Sequence, residues 1–455
     1  MSKKNYNEMI NPFKEKLFAA AKEKGFSDWE LYANISDSFR VMIFKGEISE
    51  YKNALGTGIS FRGNYKGKMG YAYSERIDDD VIPFLIENAA QNAEIIEDPD
   101  TVELYPGDAK YEDVKLYDDD LSRVPVDEKI SKALEMERIA SGLDKRIAGI
   151  DYSVTGSEEG YRFIANSLGL NMEESSNIAQ AFVLARVAEN GQVKADRDYW
   201  AGHNWNEYVP EKLAHNAVNN ALSLLGARPV KSGVYDILLE ADDASAFFGA
   251  FSGVFSAERV QKGFSLLKGK IGQTIAAPNI YIRDDPLLPL KAGSCAFDDE
   301  GVAAKNKLIV DKGVLLSFLH NTKTAKKDGL PSTGNGFKAG FKASIDVSPS
   351  NLYIVPSSSS KDDLIGEIGN GLIIKDLSGL HAGINPISGD FSIICGGYVI
   401  EKGIKSRPVE QITIAGNFFT VLNNIEKAAN DLDQLRSPVA SPSLWIKGIN
   451  VSGEN

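Results

Sequence analysis

Apolar residues recur at two spacings along the first part of the chain, and the switch between them marks out alternating helices and strands. Phe13, Leu17, Ala20 and Ala21 fall on one helical stripe. With Asn11 as cap, Pro12 in the first turn and Gly25 as terminator, they predict an amphipathic helix. Runs at Val41-Met42-Ile43-Phe44, Gly58-Ile59-Ser60-Phe61 and Gly70-Tyr71-Ala72-Tyr73 are separated by Gly46, Gly63-Asn64 and Gly67. They predict strands of a sheet on which that helix docks. Helical patterning returns over 81–96 and 126–143, and strand-like runs follow at 150–154, 161–166 and 179–188 in meander order. Leu213, Ala214, Ala217, Val218, Ala221, Leu222 and Leu225 then share one helical face, closed by Gly226.

After Pro229 the pattern changes to short β-rich segments at 234–239, 279–283, 307–310, 314–319, 352–355, 371–374 and 391–400, which predict a compact antiparallel β domain. Asp311-Lys312-Gly313 and Glu401-Lys402-Gly403 read as hairpin turns, and Ser357-Ser358-Ser359-Ser360 as an exposed loop. The acidic stretch from Glu97-Asp98-Pro99-Asp100 to Asp118-Asp119-Asp120 reads as a long connection. No internal repeat is evident. The expected class is α+β, with an N-terminal α/β domain (1–120) built on a mixed or antiparallel sheet with helices, a central α/β segment (121–230) and a C-terminal β-rich domain (231–455).

Length supports more than one core, since 455 residues exceed the roughly 250–300 at which a single core stops growing. A net charge of −13 argues against a dominant phosphate-binding surface, so nucleic acid is not an expected direct partner. Two cysteines, Cys295 and Cys395, stand outside any CxxC or Cys/His spacing, which fits a reducing compartment. The first residues lack the apolar core of a signal peptide, and no apolar run approaches the ~20 residues of a membrane span. These features read as a soluble, cytoplasmic protein with no membrane partner.

Candidate chemistry is sparse. His203, His215, His320 and His381 never pair at helical metal-ligand spacing. Asp284-Asp285 and Asp298-Asp299-Glu300 offer carboxylates for acid/base work or a cation, but the same strings are turn formers that cap backbone amides. Ser332-Thr333-Gly334-Asn335-Gly336 lacks the ending of a phosphate loop and reads as a flexible loop near a cleft. Phe247, Phe248, Phe251 and Phe255 fall at helical spacing and read as core.

Several strings stand in an order that resembles the TldD/PmbA family: Gly56-Thr57-Gly58, Asp284-Asp285-Pro286, Phe297-Asp298-Asp299-Glu300-Gly301, Ser332-Thr333-Gly334-Asn335, Gly389-Asp390-Phe391-Ser392, Ile400-Glu401-Lys402-Gly403 and Val451-Ser452-Gly453. The resemblance implies a barrel-like C-terminal domain and a dimer enclosing a chamber. Catalytic members carry a zinc motif, His-Glu-x-x-x-His, and the gapless register back from Lys262-Gly263-Phe264-Ser265 puts Phe248 and Gly253 at its histidines and Gly249 at its glutamate. None of the three offers a lone pair to a metal or a base to a water. The family's third ligand, a cysteine, corresponds to the stretch Gln434-Leu435-Arg436-Ser437-Pro438, and Cys395 does not fall on that register.

By resemblance, then, the chain is of the TldE/PmbA type: a metalloprotease subunit without catalytic, cofactor or metal residues of its own. Zinc is expected in a TldD-type partner chain, with self-association as a homodimer the other arrangement. Unfolded or modified peptides are the implied substrates, and the family is also called a modulator of DNA gyrase. Two other readings stay open: an autonomous hydrolase using Asp284, Asp298, Asp299, Ser332 or His381, and a gyrase-associated binding protein without proteolysis.

Overall fold

The computed structural model describes residues 6–96, 103–433 and 436–454, so Glu97-Asp98-Pro99-Asp100 of the expected connection lie outside the described residues. Helix makes up 26% and strand 40% of the fold, which is mixed α/β. The first stretch runs α1 (Asn7–Lys24), β1 (Asp28–Phe44), β2 (Glu47–Tyr65), β3 (Lys68–Ser74) and α2 (Ile82–Ile95). After a short α3 (Asp119–Ser122) come α4 (Val126–Gly142), β4 (Ile147–Asn166), β5 (Asn171–Glu189), β6 (Gln192–Gly202) and α5 (Pro210–Ser223).

All six strands form one curled antiparallel sheet in the order β3-β2-β1-β4-β5-β6. Helix, three strands, helix therefore occurs twice, and the two copies meet where β1 and β4 pair from Glu30↔Asn166 to Ile43↔Ser153. This is an internal repeat of architecture that the sequence does not display. Each copy needs only alternating burial along its strands, a demand that many residue choices meet. Residues 1–120 and 121–230 contribute three strands each to this shared sheet.

The strands are far longer than the apolar runs. Predicted runs at 150–154 and 161–166 are one continuous strand, β4, whose polar middle pairs with the equally polar Ser36–Arg40 part of β1. Helix α1 starts at Asn7 rather than behind Asn11, and Pro12 lies inside it, carried by the buried stripe Ile10, Phe13, Leu17 and Ala21. Gly25 ends it at φ 93°, as expected. Tight hairpins at Lys45-Gly46, Lys66-Gly67, Asn190-Gly191, Lys312-Gly313 and Lys402-Gly403 place both residues at positive φ, the geometry that a two-residue turn matches to strand twist.

The remaining elements are β7 (Gly233–Leu239), α6 (Ala241–Phe251), α7 (Ala257–Gln261), β8 (Ile282–Asp284), β9 (Lys307–Asp311), β10 (Val314–Leu315), α8 (Thr322–Asp328), β11 (Gly336–Lys338), β12 (Ile345–Val347), β13 (Leu352–Ile354), α9 (Lys361–Ile368), β14 (Gly371–Ser378), β15 (Asp390–Glu401), β16 (Ile404–Asn417), α10 (Phe418–Asn424), β17 (Ile425–Ala428), β18 (Val439–Ala440) and β19 (Leu444–Ser452). Strands β16-β15-β14-β7-β19 close into a five-stranded barrel because β16 also pairs with β19. The domain is not wholly antiparallel: β7 and β14 run parallel, as do β13 and β18. The patterning missed β16 and β19. Strand β16 carries Pro408 beside a register shift and polar Lys405, Ser406 and Arg407, so it does not read as an apolar run.

Phenylalanines hold α6 against the barrel. Phe251 is fully buried and stacks on Phe418 with ring centroids 4.6 Å apart, and Phe247 meets Phe391 edge-on at 5.0 Å. The core reading of this cluster holds. Phe251→Ala is expected to cost about 3–5 kcal/mol in urea unfolding, the usual range for a truncated core aromatic; a loss below about 1 kcal/mol would show that α6 does not anchor this core.

Candidate functional site

Side chains alternate across a strand, and here α1, α2, α4 and α5 pack on one face of the six-stranded sheet. Leu31, Ala33, Ile35, Val41 and Ile43 of β1 point to the covered face and are fully buried. The opposite face presents Asn34, Ser36, Ser38 and Arg40. Register places Gly58, Gly56, Ala54 and Lys52 of β2 beside them on one side, and Arg162, Gly160, Glu158 and Gly156 of β4 on the other. Strand β5 adds Glu174, Ser176, Gln180 and Phe182, and β6 adds Ala201 and Tyr199. The result is a trough with a floor of glycine, serine and alanine.

The C-terminal domain closes one end of this trough. Arg162 donates to Asp299 Oδ1 at 2.6 Å and to Glu174 and the Phe297 carbonyl, with its guanidinium 4.6 Å from the Phe297 ring centroid. A cavity of about 600 Å³ remains between the sheet face and the C-terminal loops, lined by Asn34, Gly160, Ser176, Gly293, Lys338 and Pro438 among others. Lys338 donates to Ser60 Oγ at 3.0 Å and lies 4.3 Å from the Tyr32 ring centroid, and burial pushes its ammonium down to about 8.

At the other end, a cleft of about 390 Å³ opens over β4, β5 and β6 among Arg40, Tyr152, Val154, Phe182, Tyr199 and Arg436. Arg436 also borders a second cleft, about 480 Å³, with Asp242, Ser245, Ala246, Gly249, Ser437 and Val439. Its guanidinium stacks over Tyr199 at 3.4 Å and bonds Asp242, which also accepts from the Tyr199 hydroxyl at 3.0 Å. Burial, with Asp433 and Glu240 nearby, raises Asp242 to about 6.

The three register positions of the zinc motif meet this second cleft unequally. Phe248 is 1% exposed and turned into the core near Phe255 and Phe418. Gly249 faces the cleft, where a Cβ would rest 3.8 Å from Val439. Helix α6 ends at Phe251, so Gly253 sits in the following 3-10 turn, where a Cβ would come within 2.8 Å of Arg259. The sequence placed these residues on one helix; the structure puts the third beyond its end. Of the stretch matched to the missing cysteine, Arg436, Ser437 and Pro438 stand at the clefts, while Gln434 and Leu435 lie outside the described residues.

The other candidates are held in internal bonds. Asp298 accepts the backbone N–H groups of Glu300, Val302 and Gly336, and Glu300 accepts from Thr322. Asp284 accepts from Asn335, Ser350 and Lys307, and Asp285 from Leu287 and Asn306. The capping reading of these carboxylates holds. Ser332 to Gly336 is no flexible loop: Ser332 and Thr333 donate to the His320 carbonyl and Asn335 is fully buried. His381 is exposed between β14 and β15. Cys295 and Cys395 are buried free thiols, both pushed up by burial. Among the described residues, no three His, Cys, Asp or Glu side chains gather as a metal site.

Three family models match the chain in succession: PmbA/TldA metallopeptidase domain 1 over residues 29–93, the central domain over 119–225 and the C-terminal domain over 232–453. The chain belongs to the PmbA/TldD family. The metalloprotease PmbA of Escherichia coli O157:H7 is 28% identical over 334 residues, 73% of this chain and 71% of that protein. A Thermotoga maritima structure described as a modulator of a DNA gyrase is 29% identical, with a TM-score of 0.89 over 97% of this chain and all of that one. TldE from Thermococcus kodakarensis shares the fold at a TM-score of 0.88 and 23% identity, with 97% of this chain and 100% of that one covered.

PmbA/TldD relatives are described as metalloproteases, but the donor set here does not fit zinc. A benzyl ring and two hydrogens supply no ligand, and the three positions do not share a helical face. The variant carrying Phe248→His, Gly249→Glu and Gly253→His is therefore expected to bind no stoichiometric zinc by metal analysis and to unfold at lower denaturant than the parent. A second expectation concerns Lys338. Its folded pKa lies below its unfolded value, so between pH 8 and 10.5 the unfolded chain holds a proton that the folded chain has lost. Stability contributed at this site rises with pH across that window, and Lys338→Met should remove the rise in urea midpoints measured at pH 7.5 and 9.5.

Proposed function

We propose that this chain is a TldE/PmbA-type subunit that binds peptide without cleaving it, and that a TldD-type chain supplies the zinc and the chemistry. One observation carries the reading: an open trough leads to a cleft beside α6, where the motif positions hold phenylalanine and glycine. Along the floor, Gly56, Gly160, Ser36 and Ser176 leave room for an extended backbone, which the trough would accept with little regard to side chains. Unfolded peptides suit it; a folded surface does not.

Asp284, Asp298, Asp299 and Ser332 are committed to the internal bonds described above, and His381 stands on an exposed loop, which weighs against an autonomous hydrolase. The buried, unbridged cysteines suit a reducing cytoplasm, and no helix among the described residues is long and apolar enough to cross a membrane. Purified alone, the chain should carry no stoichiometric zinc and cleave no unfolded peptide; mixed with a TldD-type chain, it should co-elute and raise chelator-sensitive cleavage. Robust cleavage by this chain alone that a chelator stops would overturn the proposal. Retention of gyrase without any TldD-type chain would favour the binding-protein reading.

A further inference from the structure

The cleft over β4, β5 and β6 is built unlike the rest of the trough. Its floor is aromatic rather than glycine: Tyr152, Phe182 and Tyr199 point into it from three adjacent strands, and Tyr152 is 45% exposed. Large half-exposed rings in a concavity mark a place where an apolar group is received.

The second observation is electrostatic. Arg40, on the rim, stands directly across the ladder from Lys52 on the same open face. Like charges facing each other across a strand pair are destabilising. Glu50 forms a loose, exposed ion pair with Arg40, 3.9 Å from its Nε and too far for a hydrogen bond, so these three side chains keep one net positive charge. On Arg40's other side the opposing residue is Gly156, which brings no side chain of its own against the guanidinium. A local conflict of this kind, kept beside a concave apolar floor, is the mark of a site that an anion completes.

At the far wall, Arg436 is already neutralised by Asp242 and fixed on Tyr199. It therefore shapes the cleft, while Arg40 and Lys52 hold the charge. An apolar group and a carboxylate a few ångströms apart are what the last residue of a peptide presents.

We propose that this cleft is a subsite for the C-terminal end of a peptide, with a large apolar last side chain against Tyr152, Phe182 and Tyr199 and the terminal carboxylate on Arg40 and Lys52. It rests on the proposed reading that the trough accepts extended peptide, and adds to it a direction and an end preference. An internal acidic side chain next to an apolar residue offers the same chemistry and is separated below.

Fluorescein-labelled peptides of ten residues, identical except at the end, are titrated into the purified chain by anisotropy: one ending in Phe with a free carboxylate, one in Phe amide, one in Gly with a free carboxylate, and one with Asp-Phe placed centrally and an amide end. The free Phe end should bind at least roughly tenfold more tightly than its amide or the Gly end, in line with loss of a charge-assisted bond. In the R40Q/K52Q variant that difference should vanish, with the melting temperature unchanged or raised as the like-charge pair is removed. Tyr152→Ala should narrow the gap between Phe and Gly ends. Equal affinity of acid and amide ends, with binding retained, overturns the end-reading subsite and leaves the peptide reading standing. Preference for the central Asp-Phe peptide overturns the terminal carboxylate as the source. Failure of all four peptides to bind, with the fold intact, sinks the peptide reading itself.

Discussion

The arrangement depends on how Arg162 joins the two halves of the chain. It projects from β4 on the open face of the sheet and reaches Glu174 on the neighbouring strand, Asp299 in the C-terminal domain and the Phe297 carbonyl. These side chains are 13%, 14% and 5% exposed for Arg162, Glu174 and Asp299, so the ions have given up most of their water. A buried ion cluster of this kind contributes little net stability, because desolvation offsets much of the attraction. What it does is fix geometry. The fork of the guanidinium accepts one arrangement of its partners, and the other Asp299 oxygen takes the Lys338 backbone N–H, which pins the β11–β12 ladder as well.

From that junction the shape of the trough follows. The barrel domain covers the end of the sheet that carries Glu30, Tyr32 and Arg62, where a second buried pair, Arg62 with Glu30 at 2.7 Å, lies beneath it. Farther along the open face, Arg40, Lys52, Gly56 and Glu158 are exposed. A sheet with one face under helices and the other in water normally shows polar residues outward, and here many of those positions carry no side chain worth the name. Glycine in a strand interior costs order, so Gly56, Gly58, Gly156 and Gly160 weaken the sheet where something else must come close. Phe341 already does so at Gly58, where a Cβ would fall 2.1 Å from its ring.

Much of the fold was legible in the residues, and the failures share a cause. Strands were found where apolar residues cluster, as at 234–239 and 371–374, and missed or cut short where burial is one-sided and the open face is polar, as in the middle of β1 and β4. The barrel's closing strand β19 breaks its alternation at Lys447-Gly448, between Leu444-Trp445-Ile446 and Ile449, so it does not read as one strand. The doubled helix–three strands–helix unit stayed hidden because symmetry here lies in hydrogen-bond topology. The trough was illegible for the same reason: its residues are neighbours only once Asn34↔Gly58 and Asn34↔Arg162 are paired. That Phe248, Gly249 and Gly253 offer no metal donor could be read directly, because absence of lone pairs is a property of residue type. That Phe248 and Gly249 face opposite ways could not.

The region around α6 is ordered without any metal donor at Phe248, Gly249 or Gly253. A zinc-binding helix must keep ligands on a face turned to solvent and substrate. Here Phe248 turns inward instead and is buried against Phe255 and Phe418. The cleft side then needs a different source of order, which Arg436 supplies by stacking on Tyr199 and bridging to Asp242 at the first turn of the helix, where a carboxylate is favoured by the helix dipole. A fixed cation thus stands between two clefts, one beside the barrel and one over the sheet, and each is shaped by the same guanidinium. Tyr199, Asp242 and Arg436 form a single bonded unit that borders both clefts.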